Sequence, residues 1–199
     1  MQGEIEVELT HECNWDCPYC AIKVHSLPKI SEFEMRQKVL SIPENSVVTL
    51  SGGEPGMLDQ SAVEWILSTL LNRKCKLFLN TNGLFLKKYP QFTGCFSQIV
   101  YHCSQNLDVD DEIITVSGAD VRYMLVVNDD NVGKLSDFLD AHPGIRFDII
   151  QATYNNIGDG VPLSAKNRNM IATRFFSRMT EESFRRLFNE KNWDAIRFI

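Results

Sequence analysis

The hydrophobic pattern of this 199-residue chain switches repeatedly between a strand period and a helix period. Residues 4–9, EIEVEL, alternate strictly between acidic and apolar side chains, which predicts a strand with one solvent-facing side at the edge of a sheet. Residues 31–42 begin with the capping-box sequence SEFE and continue with apolar residues at helical spacing. The chain is therefore expected to form a strand first and, after a cysteine-containing segment, a helix.

Strand and helix patterns then alternate along the chain. Five further strands are predicted, at 47–51, within 75–83, where the strand ends in a turn, and at 97–104, 121–127 and 145–152. Helical patterns lie between strands from about Asp59, within LFLKKY, and after Asn131. This alternation predicts parallel strands with helices outside. Six units favour an α/β fold with a partial (β/α)6 barrel over a closed eight-stranded barrel, for which about 250 residues is usual.

The last part of the chain, residues 166–199, has a helical pattern. Thr180 suits an N-cap, and Glu181 and Glu182 suit the first turn of a helix. Apolar residues are numerous enough to cover the open side of a six-unit barrel: Met170, Ile171, Phe175, Phe176, Phe184, Leu187 and Phe188. We therefore expect a single domain, residues 1–199, with the barrel core in residues 1–165 and a helical C-terminal extension packed on it.

Composition narrows the classes of function. The sequence has no run of 18 apolar residues that would span a bilayer, and its start, MQGEIEVELT, lacks the basic and apolar parts of a signal peptide. We therefore expect a cytoplasmic protein that has no membrane partner. The formal net charge of −6 argues against binding to duplex nucleic acid, which requires a basic surface.

The charge is unevenly distributed along the chain. Residues 166–199 contain 8 Lys or Arg against 4 Asp or Glu, a balance of +4, so residues 1–165 carry −10. We interpret the basic segment as a solvated helical face. The alternative is a contact surface for an anionic substrate or an acidic partner.

Three cysteines follow the first predicted strand, in the segment LTHECNWDCPYC at residues 9–20. Cys13, Cys17 and Cys20 thus come at the carboxyl end of a strand, where α/β sheets and barrels place their chemistry. In a cytoplasmic chain, thiols, metal ligands or catalytic groups are expected rather than disulfides. Structural zinc would use the three thiolates with His11 or His25. A four-iron cluster would instead use three thiolates and leave one iron open.

The spacing CxxxCxxC, with the aromatic Tyr19 before the last cysteine, resembles the cluster loop of radical S-adenosylmethionine (SAM) enzymes. Three further matches to that superfamily follow the later predicted strands in the same order: Gly52-Gly53-Glu54-Pro55, then Thr81-Asn82-Gly83, then Ser104 with Asn106. The resemblance covers roughly residues 4–152 and implies the partial barrel that the strand count also predicts.

The resemblance implies a radical SAM enzyme with oxidoreductase chemistry. Cys13, Cys17 and Cys20 would each bind one iron of a [4Fe–4S] cluster, and the open iron would chelate the amino and carboxylate groups of SAM. The cluster would donate one electron to SAM, and the resulting 5′-deoxyadenosyl radical would abstract hydrogen from a small-molecule, nucleotide or protein-residue substrate. An electron donor such as flavodoxin or ferredoxin is implied as a partner.

The resemblance also implies roles for residues around the cluster. Tyr19 would form a wall close to the adenine and the cluster. Gly52, Gly53 and Glu54 would bind the amino group of SAM, because glycines let the backbone approach closely and a carboxylate pairs with an ammonium.

The later motifs have less specific implied roles. Thr81 and Asn82 would bond to the ribose, to the methionine carboxylate or only to their own turn. Ser104 and Asn106 would contact the ribose. We interpret Cys103, His11 and His102 as structural rather than catalytic residues.

The sequence leaves the class of function open at two levels. Compact radical SAM enzymes include the activases of glycyl-radical enzymes and the deazapurine synthases, and no motif in the chain separates these two. A zinc-stabilised, non-catalytic α/β binding module is the alternative from another class, because a fold does not by itself imply a reaction.

Overall fold

The computed structural model contains one sheet of six strands. The strands are β1 (Ile5–Thr10), β2 (Val47–Gly52), β3 (Lys76–Thr81), β4 (Gln98–Cys103), β5 (Asp120–Val127) and β6 (Phe147–Gln151). They lie in the order β1-β2-β3-β4-β5-β6, and every neighbouring pair is parallel. The predicted α/β fold with six parallel strands in chain order is therefore confirmed.

The structure describes residues 4–17, 20–103, 119–127, 129, 131–142, 147–151, 164, 166–167 and 170. The helices in these ranges are α1 (Ala21–Val24), α2 (Glu32–Ser41), α3 (Gln60–Asn72), α4 (Leu84–Lys88) and α5 (Val132–Ala141), with 3₁₀ helices at Pro55–Met57 and Pro90–Cys95. None of the helices in the described ranges has the length and apolar character needed to cross a membrane.

Helix α2 begins at the capping box that the sequence predicts. Ser31 Oγ accepts a hydrogen bond from Glu34 N at 3.2 Å, and Glu34 Oε2 accepts one from Ser31 N at 2.8 Å. These bonds satisfy main-chain donors that the start of a helix leaves open. Met35 and Val39 are the buried residues of this helix and belong to the hydrophobic core.

The hydrophobic core lies on the outer face of the sheet, against the helices. The strand register places Val7, Leu50, Leu79 and Ile99 in one row across β1 to β4, and each of them is at most 5 % exposed. The row packs with apolar residues of α2 and α3 in one cluster. Since neighbouring residues of a strand point to opposite faces, the alternate positions form the inner face of the partial barrel.

The exposure of Glu6 and Glu8 on β1 differs from the sequence prediction. The pattern predicts a solvent-facing side for β1, and β1 does lie at the edge of the sheet. Both residues are only partly exposed, however, because they alternate with the core row and lie on the inner face. Burial raises the pKa of Glu6, and Asn80 Nδ2 donates to Glu6 Oε1 at 3.5 Å.

The C-terminal extension stays a prediction for most of its length. Within 166–199 the structure describes only residues 166–167 and 170. Met170 is partly buried and packs against the hydrophobic core. The predicted cap at Thr180 and the other apolar residues predicted to cover the barrel lie outside the described residues.

Candidate functional site

The cysteine segment is a loop at the carboxyl end of β1 that leads into α1. Cys13, Cys17 and Cys20 are partly exposed, and all six cysteines of the chain are thiols rather than disulfides. Cys20 N donates to Cys17 O, and Lys23 N donates to Cys20 O, both at 3.1 Å. The three predicted metal ligands therefore lie on one short loop, with the last of them at the entry to the helix.

Lys23 connects α1 to the middle of this loop. Its Nζ donates to Asp16 Oδ1 at 2.6 Å and to the main-chain oxygen of Trp15. Asp16 is 95 % exposed, so this ion pair contributes little to stability. The interaction nevertheless holds a positive charge beside the cysteine loop, and such a charge favours the ionised form of nearby thiols.

Cys13 has two N–H groups directed at its sulfur. Trp15 N donates to Cys13 Sγ at 3.4 Å, and Asn82 Nδ2 donates to it at 3.6 Å. Burial raises the pKa of the Cys13 thiol, whereas the hydrogen bond from Trp15 lowers that pKa. Donors at these positions stabilise a negative charge on the sulfur, which is the form in which cysteine binds metals.

The glycine pair after β2 brings the end of that strand against the start of the cysteine loop. Gly52 has φ +122°, and a β-carbon there would lie 2.3 Å from Thr10 O. A β-carbon on Gly53 would lie 2.2 Å from Glu12 O. Gly53 N donates to Thr10 O at 2.6 Å, and Glu54 N donates to Glu12 O at 2.8 Å. Among the described residues, the backbone of Gly52 and Gly53 therefore lies against the end of β1 and the start of the cysteine loop. A contact of these glycines with SAM stays a prediction.

Glu54 is fully buried, and its carboxylate accepts hydrogen bonds from two neighbouring turns. Oε1 accepts from Gly56 N at 2.9 Å and from Phe85 N at 3.1 Å, and Oε2 accepts from Asn82 N at 2.7 Å. Thr81 Oγ1 also donates to this carboxylate, 2.8 Å from Oε1. Burial raises the pKa of Glu54, and the bonds from its donors lower it. The carboxylate thus fastens the turn after β2 to the turn after β3.

This environment changes the role expected for the Glu54 side chain. The sequence interpretation pairs its carboxylate with the ammonium of SAM, but the carboxylate has 0 % exposure and is occupied by protein donors. The reason is geometric, because the turn after β2 directs the side chain towards β3 rather than towards open space. The main-chain N–H groups of Gly53 and Glu54 are also bonded within the protein, so a contact of this motif with SAM stays a prediction.

Thr81 is engaged in the same buried network. Its hydroxyl donates to Glu54 and accepts a hydrogen bond from Gly83 N at 3.0 Å, and the residue is only 2 % exposed. Of the partners that the sequence suggests for Thr81, the bond within its own turn is the one found in the described part of the chain.

Asn82 joins the turn after β3 to the cysteine loop. Its Oδ1 accepts from Leu84 N at 3.2 Å, which is a bond within its own turn. Its Nδ2 donates to Asn14 Oδ1 at 2.8 Å and to Cys13 Sγ at 3.6 Å. The sequence interpretation does not include Asn14 or Thr10 in the site. No local pattern marks either residue, since both act through contacts with strands distant in the sequence.

The remaining predicted site residues are not placed by these observations. Tyr19, Ser104 and Asn106 lie outside the described residues. The described residues bring together the loop of Cys13 to Cys20, the glycine pair, Glu54, Thr81 and Asn82 at the carboxyl ends of the first three strands. This is the edge at which α/β barrels place their active sites.

Comparison with known proteins agrees with this arrangement. No family model matches the chain. A Methanocaldococcus jannaschii protein with the provisional name glycyl-radical enzyme activating enzyme MJ1632 is 35% identical over 82 residues, a match that covers 40% of this chain and 31% of that protein. The chain thus spans about a third of the relative's length.

Two solved structures share the fold. Histidine-tagged anSMEcpe with bound AdoMet matches with a TM-score of 0.63 at 14% identity, over 87% of this chain and 58% of that one. Streptococcus suis SuiB bound to S-adenosylmethionine matches with a TM-score of 0.51 at 14% identity, over 88% of this chain and 48% of that one. The fold, the cysteine spacing and the curated relative agree. The partial sequence match and the shared fold are consistent with the resemblance to radical SAM enzymes that the cysteine spacing indicates.

The donor set of this site fits an iron–sulfur cluster. Three thiols lie on one loop, and thiolates are the ligands that such clusters take. The N–H groups at Cys13 Sγ and the charge of Lys23 offset the negative charge of thiolate ligands. Within the described residues, no three His, Cys, Asp or Glu side chains lie close enough together to hold a single metal ion.

Proposed function

We propose that this protein is a radical SAM enzyme in which Cys13, Cys17 and Cys20 hold a [4Fe–4S] cluster. The observation that carries the proposal is the single loop of three thiols at the carboxyl end of β1, bonded through its first residues to the motif after β2. When the cluster and SAM are bound, the chemistry supplied is one-electron cleavage of SAM to a 5′-deoxyadenosyl radical, which abstracts hydrogen from a substrate.

The chain's own residues position the reactants in this proposal. Main-chain carbonyl oxygens of Gly52 and Gly53 accept hydrogen bonds from the amino group of SAM, since the carboxylate of Glu54 is used within the protein. Glu54 and Thr81 hold the turns after β2 and β3 in one geometry, and such pre-organisation lowers the cost of orienting a cofactor. Tyr19 lines the adenine, and Ser104 and Asn106 contact the ribose.

The inner face of the barrel is the proposed substrate side. It presents polar residues that are largely but not completely buried, namely Glu6 and Glu8 on β1 and His102 on β4. The name of the M. jannaschii relative supports activation of a glycyl-radical enzyme, so we propose a residue of a partner protein as the substrate. The proposal includes a cytoplasmic location and a flavodoxin- or ferredoxin-like electron donor.

Anaerobic reconstitution with iron and sulfide tests the cluster. We expect about four irons and four sulfides per chain in the wild type. Cys13→Ala, Cys17→Ala and Cys20→Ala should each lose the cluster, because each thiolate is the protein ligand of one iron. Cys95→Ala is the matched control, since Cys95 is also partly exposed but lies after α4, and it should retain the iron content.

Incubation of the reconstituted protein with dithionite and SAM tests the chemistry. We expect 5′-deoxyadenosine, detected by liquid chromatography, from the wild type and from Cys95→Ala but from none of the three cluster variants. Stoichiometric zinc bound without iron, together with no 5′-deoxyadenosine, would support the non-catalytic binding module and overturn the proposal.

A further inference from the structure

The side-chain amide of Asn82 has one orientation imposed on it by hydrogen bonds. Its Oδ1 accepts from Leu84 N at 3.2 Å, so its Nδ2 must face the cysteine loop. The oxygen and nitrogen of an amide are distinguished by such partners, because a main-chain N–H can donate to the amide oxygen but not to the amide NH₂ group. The amide group is therefore oriented before any cofactor binds.

The main chain of Asn82 is held equally firmly. Asn82 N donates to Glu54 Oε2 at 2.7 Å, and Glu54 is fully buried among donors from both turns. A hydrogen bond to a buried carboxylate is charge-assisted and stronger than a neutral one. The position of the Asn82 backbone thus depends on Glu54, and the direction of its side chain depends on Leu84 N.

The two hydrogens of Nδ2 have two acceptors. One is Asn14 Oδ1 at 2.8 Å, and the other is Cys13 Sγ at 3.6 Å. The second distance is within the range of a hydrogen bond to sulfur, whose radius exceeds that of oxygen. Trp15 N reaches the same sulfur at 3.4 Å, so the two donors approach Cys13 from separate segments of the chain.

We propose that Asn82 tunes the cluster by donating a hydrogen bond to the Cys13 thiolate and thereby raising the reduction potential. The inference rests on the proposed function, because it requires a cluster bound by Cys13. The reduced cluster carries one more negative charge than the oxidised one, so an N–H donor stabilises the reduced form more. Hydrogen bonds to sulfur are one of the means by which proteins set these potentials.

The test is an EPR-monitored redox titration of reconstituted proteins without SAM. Asn82→Ala should make reduction of the cluster up to about tenfold less favourable. For a one-electron couple, this corresponds to a midpoint potential about 59 mV more negative. Asn82→Asp keeps an oxygen acceptor for Leu84 N but places a carboxylate near Cys13, so its midpoint potential should be lower still. Asn80→Ala, on the strand that leads to Asn82, is the matched control, because the amide of Asn80 bonds to Glu6.

Asn14→Ala separates tuning from simple positioning of the loop. It removes the bond between Nδ2 and Asn14 Oδ1 and the 4.0 Å contact of that oxygen with Cys13 Sγ, but it leaves the donor from Asn82, so the midpoint potential should not become more negative. An equal shift in Asn14→Ala and Asn82→Ala would mean that Asn82 only holds the loop, and the tuning role would be overturned.

The remaining outcomes are also decisive. Equal potentials in wild type, Asn82→Ala and Asn82→Asp overturn the inference alone. Loss of iron from both Asn82 variants overturns it too, because the residue would then be needed for retention rather than tuning. A wild-type protein that binds no cluster overturns the proposed function and this inference together, so the two failures are distinguishable.

Discussion

Gly53 lies so close to Glu12 that a β-carbon on Gly53 would stand 2.2 Å from the carbonyl oxygen of Glu12. The same oxygen accepts a hydrogen bond from Glu54 N at 2.8 Å. The turn after β2 and the start of the cysteine loop are therefore in direct backbone contact. The position of the loop depends on the absence of a side chain at Gly53.

Gly53→Ala should displace the cysteine loop. A methyl group at that position overlaps main-chain atoms, which cannot turn away as a flexible side chain can, so we expect a loss of about 2 kcal/mol or more in the free energy of unfolding. Gly94→Ala is the control, because a β-carbon at Gly94 meets no atom within 4 Å. Urea denaturation of the metal-free proteins measures both, and equal stability of Gly53→Ala and wild type would contradict the described contact.

Glu54→Ala should destabilise the metal-free fold. It removes the acceptor of three main-chain donors, Gly56 N, Asn82 N and Phe85 N, and each buried unpaired donor costs roughly 1–3 kcal/mol. We expect at least about 3 kcal/mol in urea denaturation, before any cofactor is added. Glu64→Ala on the exposed side of α3 is the control and should change stability by less than about 0.5 kcal/mol. A stable Glu54→Ala protein whose only defect is weak SAM binding would restore the ligand role of the carboxylate.

His102 on β4 should make the protein sensitive to mild acid. Burial lowers its pKa to about 4 from an ordinary value of 6.5, so the unfolded chain takes up a proton in this range before the native chain does. Stability should be unaffected by this group above pH 6.5 and fall as the pH drops towards 4, by on the order of 2–3 kcal/mol. His102→Gln should reduce that pH dependence. Identical pH profiles of wild type and His102→Gln, measured by thermal unfolding, would refute the assignment.

Thiol labelling should separate the cysteines into two groups in the metal-free protein. Cys75 and Cys103 are 6 % and 1 % exposed, and burial raises the pKa of Cys103, so both should react slowly with iodoacetamide. Cys13, Cys17, Cys20 and Cys95 are partly exposed and should react first. Reconstitution should then protect the three loop cysteines but leave Cys95 reactive, as mass spectrometry of the labelled peptides would show. Labelling of Cys103 as fast as Cys95 is the outcome that contradicts the described core.

Local sequence patterns were sufficient to predict the six strands, the longer helices and their order, but not α1 or the two 3₁₀ helices. The six strands, the capped start of α2 and the loop position of the cysteines depend on periodicity, caps and spacing, which act over a few residues. Parallel strands joined by helices follow from the alternation of the two periods. The sequence by itself therefore determined the fold class and the end of the sheet at which the motifs meet.

Only the tertiary structure decided what the motif residues contact. Asn82 reaches Cys13 across 69 positions of sequence, and Thr81 reaches Glu54 across 27, so neither bond could be inferred from local spacing. The sequence motif identified Gly53 and Glu54 as site residues. Whether they face a ligand or the protein depends on how the turns after the parallel strands pack together. Packing of the core row on one face of the sheet likewise left the acidic side of β1 on the opposite, inner face. These contacts arise because parallel pairing brings strand ends that are distant in the sequence side by side. A sequence pattern carries no information about the direction of a side chain where two such strand ends meet.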